Sequence, residues 1–236
     1  MHVLSTALVF AAKLFSKVFY RTEVKWITPK EQIDWHHIRL VVVLNHTSLF
    51  EPLFVSAIPN KHLFRAVQRL VVPVADSTMN RPILGQVFHA LAPGAVSITR
   101  KRDNSWTQFM EQTGGRSLIL IFPEGRMKRK DGLDKFGHPM SVKGGVADVL
   151  QEIHSGKMII AYSGGLHHVQ APGDKLPRIF KSIGLGVEQV DIVEYKNQFA
   201  GPDFRNSVIH DLEQRMKIHC PEVATENNLE QPQASN

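Results

Sequence analysis

Arg39-Leu40-Val41-Val42-Val43-Leu44-Asn45-His46-Thr47-Ser48-Leu49-Phe50-Glu51-Pro52 is a run of apolar, largely β-branched residues that breaks into a polar corner. Leu40 to Leu44 is continuous rather than alternating, the pattern of a strand buried on both faces of a sheet. Asn45 ends it, and Thr47 or Ser48 is placed to cap a helix just beyond. His46 then stands at the mouth of a sheet, where α/β folds bind their ligands. Five residues on one unbroken helix turn the chain about 500°, leaving His46 and Glu51 about 140° apart. The two therefore meet only if His46 lies in the strand-to-helix corner and Glu51 on the first helical turns. A carboxylate that holds a histidine in this way fixes its tautomer and stabilises its charged form, as a general base requires. The alternative is a surface histidine beside a helix-N-terminal glutamate.

The chain of 236 residues is long enough for one large α/β domain with a full core. A formal charge of +6 favours anionic partners: phosphates, nucleic acid or an acidic membrane surface. One cysteine, Cys220, excludes an intrachain disulfide and a cysteine-based zinc site, and fits a reduced compartment. The adjacent pairs His36-His37 and His167-His168 point apart on a helix or a strand, so no metal site is expected.

Residues 3–20 are the most apolar segment. Lys13 and Lys17 interrupt it, which argues against a spanning helix. They lie four apart on one face, with Leu14, Phe15, Val18 and Phe19 on the others, which suits a helix lying in the membrane interface with its lysines among headgroups. A helix packed on the domain's own core is the other reading. No basic residue precedes the apolar run, so a signal peptide is not expected. The organisation predicted is an amphipathic membrane-interface helix over 1–21, one domain over 22–220, and a flexible polar tail over 221–236.

Within that domain the pattern predicts an edge strand at 21–27, a helix from Pro52 to Ile58, a strand from His62 to Val67, and a helix from Pro82 to about Ala90. A strand at 95–98 leads into Arg100-Lys101-Arg102. Asp103 or Asn104 caps a helix to about Gln112, and Ser117 to Phe122 is a second buried strand. It runs into Pro123-Glu124-Gly125-Arg126-Met127-Lys128-Arg129-Lys130, dense in positive charge. A helix at 141–154, strands at 158–162 and 186–195, and a last helix at 202–219 follow. Pro73 leaves residues 71–76 ambiguous. The fold class expected is α/β: a single domain with a mixed, largely parallel central sheet flanked by helices.

Three strand ends carry chemistry: His46 with Glu51, the Arg100 cluster, and the loop from Pro123 to Arg126. A base, a glycine that a ligand can approach closely, and several cations suit a reaction on a phosphate-bearing alcohol. The basic runs carry no interleaved aromatic residues for stacking bases, so nucleic acid is not expected as a partner.

Asn45-His46 with Glu51, Gly94 to Arg100, and Phe122-Pro123-Glu124-Gly125 stand in the order and spacing of the blocks of the glycerolipid acyltransferases, typified by 1-acylglycerol-3-phosphate acyltransferase. The chain resembles that family over roughly residues 22–195. Glu51 stands where the family usually has aspartate, a substitution also similar to acyltransferases of lipid A synthesis. Arg126 directly follows Gly125, as in tafazzin-type transacylases, and the block near Met158-Ile159-Ile160-Ala161 lacks its proline. The resemblance implies an enzyme that moves a fatty acyl group from acyl-CoA or acyl carrier protein to the free hydroxyl of a lysophospholipid, with no further cofactor. His46 and Glu51 would be catalytic. Arg100, Arg126, Lys128 and Arg129 would bind the acceptor phosphate, and Glu124 with Gly125 would order the loop or bind the acceptor. Backbone amides near Gly125 are candidate donors to the oxyanion. The expected setting is peripheral, on the cytoplasmic face of a membrane through the N-terminal helix, with phospholipid and lysophospholipid as partners. A coenzyme A-independent transacylase and a non-catalytic lipid-surface protein are the alternatives.

Overall fold

The computed structural model describes residues 2–99, 103–171, 173–174 and 176–221. Arg100, its neighbours Lys101 and Arg102, and nearly all of the predicted tail lie outside these. The chain opens with α1 (His2–Phe19) and β1 (Tyr20–Trp26) and continues into β2 (Ile38–Leu44). A 3-10 segment follows (Glu51–Ala57), then α2 (Asn60–Arg69), β3 (Leu70–Ala75), α3 (Asp76–Met79) and α4 (Pro82–Leu91). After β4 (Gly94–Ile98) come α5 (Asn104–Glu111), β5 (Leu118–Ile121), α6 (Gly145–Glu152), β6 (Lys157–Ser163), β7 (Lys181–Asp191), α7 (Ile192–Gln198) and α8 (Phe204–His219).

The strands form one seven-stranded sheet in the order β1-β7-β6-β2-β5-β3-β4. β6, β2, β5, β3 and β4 run parallel, while β7 is antiparallel to β6 and carries β1 parallel to itself. β2 lies between β5 and β6, which explains its unbroken apolar sequence. Leu40, Val42 and Leu44 are buried in a core that includes Phe109 of α5, Val146 and Leu150 of α6, and Val208 and Leu212 of α8. Val43, on the opposite face, packs in a second core with Leu53 and Phe54 of the 3-10 segment. The α/β class and the largely parallel sheet are as expected from the sequence.

Several local expectations are corrected. Residues 62–67 are helical, within α2. Of their buried members, Leu63 and Val67 lie four apart, and His62 falls on the same side of the helix. Residues 71–75 are strand despite Pro73. β5 pairs only with Leu70 and Val71, so beyond them β3 needs ladder donors on the β4 side alone. The late strand stops at Asp191, whose carboxylate accepts from the amides of Val193 (2.9 Å) and Glu194 (3.1 Å) and caps α7.

α1 packs on the 3-10 segment, α2 and α4. It turns its polar residues inward: Ser5, Lys13 and Ser16 are buried, whereas Val3, Leu4, Leu14 and Val18 are exposed. Lys13, only 5% exposed, donates to the Ile58 carbonyl rather than reaching headgroups, and Ser16 Oγ donates to the Leu53 carbonyl at 2.9 Å. Burial is the main cause that lowers the Lys13 pKa. The expected placement of both lysines among headgroups therefore does not hold for Lys13, whose side of α1 packs on the domain. The 3-10 segment leaves carbonyls free at its end, and a long ammonium side chain is drawn to them. No described helix is long and apolar enough to cross a membrane.

Candidate active site

β2 ends at Leu44, and Asn45 adopts a left-handed conformation (φ 64°) that reverses the chain. Asparagine tolerates this better than most residues, and here its Nδ2 donates to the Ser163 carbonyl at 2.8 Å, tying the turn to β6. Four successive amides are then held by two buried carboxylates. Asn45 and His46 donate to the two oxygens of Glu124, at 2.8 and 2.7 Å. Thr47 and Ser48 both donate to Glu51 Oε1, at 2.9 and 3.0 Å. Consecutive amides arranged around an anion form a nest, and two such grips in series fix the backbone on both sides of the histidine. The clasp is completed by the Lys128 amide on the His46 carbonyl (2.7 Å) and the Leu166 amide on Thr47 Oγ1 (2.7 Å). Neither Thr47 nor Ser48 caps the following helix by side chain. The 3-10 segment begins at Glu51 itself, whose carboxylate reaches back to the Thr47 and Ser48 amides of the preceding turn.

Glu51 Oε2 faces His46 Nδ1 at 3.2 Å, with the two side chains 2% and 15% exposed. The atoms are close but off the line of a well-formed hydrogen bond, and neither has another partner. A small rotation of the imidazole aligns them, and ion-pair attraction between buried groups favours that rotation. The ring is braced by Phe122, with centroids 4.5 Å apart. With Nδ1 turned to the carboxylate, Nε2 is the nitrogen left for a substrate. Burial opposes the imidazolium, but the Glu51 charge beside it, with Glu124 behind, outweighs burial and raises the His46 pKa above the ordinary value. Burial likewise pushes the Glu124 carboxyl up, against the amides of His46 and Asn45.

His46 and Glu51 line a cavity of about 920 Å³, near the upper end of ligand-sized cavities. Its lining extends from Ile38 at the start of β2, past Val41 and Val43, to His46 beyond the strand's end. At the rise of an extended strand this is roughly 25 Å. Val9 and Ala12 of α1, Leu63 of α2 and Leu120 of β5 complete an apolar wall. Glu124, Gly125 and Arg126 stand at the His46 end with Lys143 and His138.

The sequence-predicted residues thus divide. His46, Glu51, Glu124, Gly125 and Arg126 share one cavity. Glu124 is a loop-ordering residue, but the loop it orders is that of His46, and its partners are amides instead of a cation. Gly125 takes a left-handed turn (φ 70°), and its own amide is committed to the Phe122 carbonyl at 3.0 Å. Arg126 pairs with Asp134 and lies 4.6 Å over the Phe136 ring, so part of its charge is already answered. Despite burial, the amide of His138 and the Arg126 guanidinium hold the Asp134 carboxyl well below the usual carboxylate range. Lys128 and Arg129 are not among the cavity-lining residues. The Lys128 backbone instead bridges the His46 carbonyl and His167 Nε2 (2.6 Å), and Arg129 is exposed. Arg100 is outside the described residues.

Sequence reasoning missed the clasp through Ser163 and Leu166, and it missed Lys143. The glycine- and histidine-bearing loop after β6 signalled the first, and the Lys143-Gly144-Gly145 entry to α6 the second, but neither has a spacing that names a role.

The Glu124 arrangement gives a direct expectation. The side-chain amide introduced by Glu124→Gln offers one acceptor to two buried amides, leaving one opposed to an NH2 group. An unsatisfied buried donor costs about 1–3 kcal/mol. Glu124→Gln is expected to lower Tm by several degrees and acyl transfer by at least about tenfold. An unchanged melting curve with lost turnover would place Glu124 on the substrate instead.

A family model described as acyltransferase matches residues 27–163. Among solved structures, the chain is similar to the 1-acyl-sn-glycerophosphate acyltransferase PlsC from Thermotoga maritima. The TM-score is 0.56 at 17% identity, over 89% of this chain and 80% of that one. No curated protein sequence matches the chain.

Proposed function

The chain belongs to the acyltransferase family, and from that premise we propose that it transfers a fatty acyl group from a thioester to the free hydroxyl of a lysophospholipid of the 1-acylglycerol-3-phosphate kind. The observation that carries this reading is a histidine oriented by a buried glutamate at the end of a long apolar cavity. The acyl chain lies along β2 beneath α1, with its carbonyl carbon beside His46. His46 Nε2 takes the proton of the acceptor hydroxyl as that oxygen attacks the carbonyl carbon. The resulting tetrahedral oxyanion collapses, the carbon–sulfur bond breaks, and the departing thiolate takes the proton from the imidazolium.

The amides of Arg126 and Met127, just beyond the Gly125 turn and on the cavity wall, are the candidate oxyanion donors. The amide of Gly125 is already used. The acceptor's phosphate meets the guanidinium N–H groups of Arg126 that Asp134 leaves over, together with Lys143. Arg100 is a further candidate from the sequence. The reaction so written calls for no cofactor beyond the thioester donor itself. Acceptor and donor reach the site from a membrane surface on which α1 lies by its exposed apolar face. The single cysteine and basic charge make the cytoplasmic side the expected one.

Purified protein given labelled acyl-CoA, acyl carrier protein or diacyl phospholipid, each with a panel of lysolipids, separates the possibilities. A labelled product from a thioester donor that is lost in the His46 variant supports the proposal. Arg126 directly after Gly125 favours one second reading: transfer only from the diacyl phospholipid, without thioester, would identify a transacylase. No product from any donor would sink both.

A further inference from the structure

The segment leading into β7 exposes an unusual set of side chains. Leu176 is 79% exposed, Phe180 is 72% exposed, and Ile179 between them is also exposed. Phe180 sits in the left-handed region at φ 59°, where a bulky aromatic residue is a genuine outlier. A protein that both strains an aromatic residue and leaves it in water gains nothing in folding from either.

The position of the segment supplies the reason. The Phe180 amide donates to the Phe19 carbonyl at 2.7 Å, and the two rings lie 5.7 Å apart. Phe19 in turn lies 4.7 Å from Phe15, on the exposed apolar side of α1 with Leu14 and Val18. The apolar surface therefore runs without a break from helix to loop. Exposed Lys17, Arg21 and Arg178 each lie within two residues of its members Phe19 and Phe180 in the chain. Among the described residues, the charged partners of Arg21 and Arg178 are Glu23 at 3.6 Å and Asp174 at 3.9 Å, both long for ion pairs. Apolar side chains bordered by cations match an anionic bilayer, with acyl chains below and phosphates at the rim. At its other end the same loop reaches the active site. The Arg178 amide bonds the Val169 carbonyl, His167 holds the Lys128 backbone, and Leu166 holds Thr47.

We infer that Leu176, Ile179 and Phe180 form a second membrane-seating element beside α1, with Phe180 entering the acyl region of an anionic bilayer. This rests on the reading above that the enzyme works at a membrane surface. Two contact elements fix an orientation where one helix alone leaves the molecule free to roll about its axis. They seat the loop next to His46 against the bilayer, so an acceptor passes from membrane to cavity without crossing water.

The test uses the full chain and vesicles of phosphatidylcholine carrying about one quarter phosphatidylglycerol. Four variants are compared with the unsubstituted chain: Phe180→Gly, Leu176→Ser with Ile179→Ser, Phe180→Trp, and Val193→Ser as an exposed control on α7. Cosedimentation is expected to fall about tenfold for each of the first two and to stay unchanged for the control. The Phe180→Gly chain should melt no lower than the parent, because glycine relieves the left-handed backbone. The indole introduced by Phe180→Trp should be quenched by brominated lipid beyond the native tryptophan background. Transfer to a short-chain, water-soluble acceptor should be preserved in both loop variants while transfer to vesicle-borne acceptor falls. A parent chain that binds vesicles with loop variants that bind equally well, and no added quenching in the Phe180→Trp chain, would overturn the loop's role and leave the membrane reading standing. A parent chain that fails to bind any vesicle would overturn both. A change of oligomeric state in the Phe180→Gly chain, with vesicle binding intact, would assign the surface to self-association and overturn the inference.

Discussion

His46→Ala is expected to lower kcat/KM for acyl transfer by about 10²–10⁴-fold, the usual contribution of a positioned general base, and to leave the fold in place. The backbone around His46 is held by Glu124, Glu51 Oε1, the Lys128 amide and Leu166, and none of these hydrogen bonds involves the imidazole. Removing the ring leaves Glu51 Oε2 facing the cavity, where water can take the imidazole's place, so Tm should move by no more than about 4 °C. Labelled acyl transfer and a thermal melt on the same preparation check both parts. Full turnover in the variant would remove His46 from the mechanism.

Glu51→Gln has an equally large expected effect for a different reason. The glutamine carbonyl can keep both amides of Thr47 and Ser48, so the turn survives. Its NH2 group then faces His46 Nδ1, which must accept, and the ring proton moves to Nε2. An imidazole protonated on Nε2 cannot take the acceptor's proton, and a wrong tautomer of this kind costs about 10⁴ in kcat in the serine proteases. We expect a fall of about 10²–10⁴ in kcat with KM little changed. The pH profile gives a second, independent reading. The base works when unprotonated, so activity rises as pH passes through the His46 pKa, which Glu51 holds above the ordinary imidazole range. In the Glu51→Gln enzyme the residual activity should rise at lower pH than in the parent. A limb that stays in place would mean that another group titrates there.

What could be read from residues alone follows their range of action. The β2 run and the Phe122-Pro123-Glu124-Gly125 block identify themselves because continuous β-branched character and a turn motif are local properties. His46 with Glu51 is nearly local, and the requirement that the histidine lie in a corner follows from helix geometry alone. Glu124 grips amides 78 and 79 residues away, and no local pattern announces a carboxylate whose partners are backbone groups. His62 to Val67 is ambiguous locally because a short stretch with few apolar residues fits a strand or one face of a helix, and packing decides for α2. The inward turn of Lys13 is equally illegible locally, because the Ile58 carbonyl that competes for its ammonium lies 45 residues away.

That inward lysine has a practical consequence. Lys13 and Ser16 bond the Ile58 and Leu53 carbonyls, and Val9 and Ala12 are part of the cavity wall. On the proposed reading α1 is thus one side of the container for the acyl chain as well as a contact with the membrane. Cutting it away would remove the side-chain donors to two carbonyls and open the cavity along one side, so a truncated chain is expected to lose activity and apolar selectivity together, whether or not the helix touches lipid. Only point changes on its outer face, such as Leu14→Ser or Val18→Ser, can separate where this enzyme sits from what it holds.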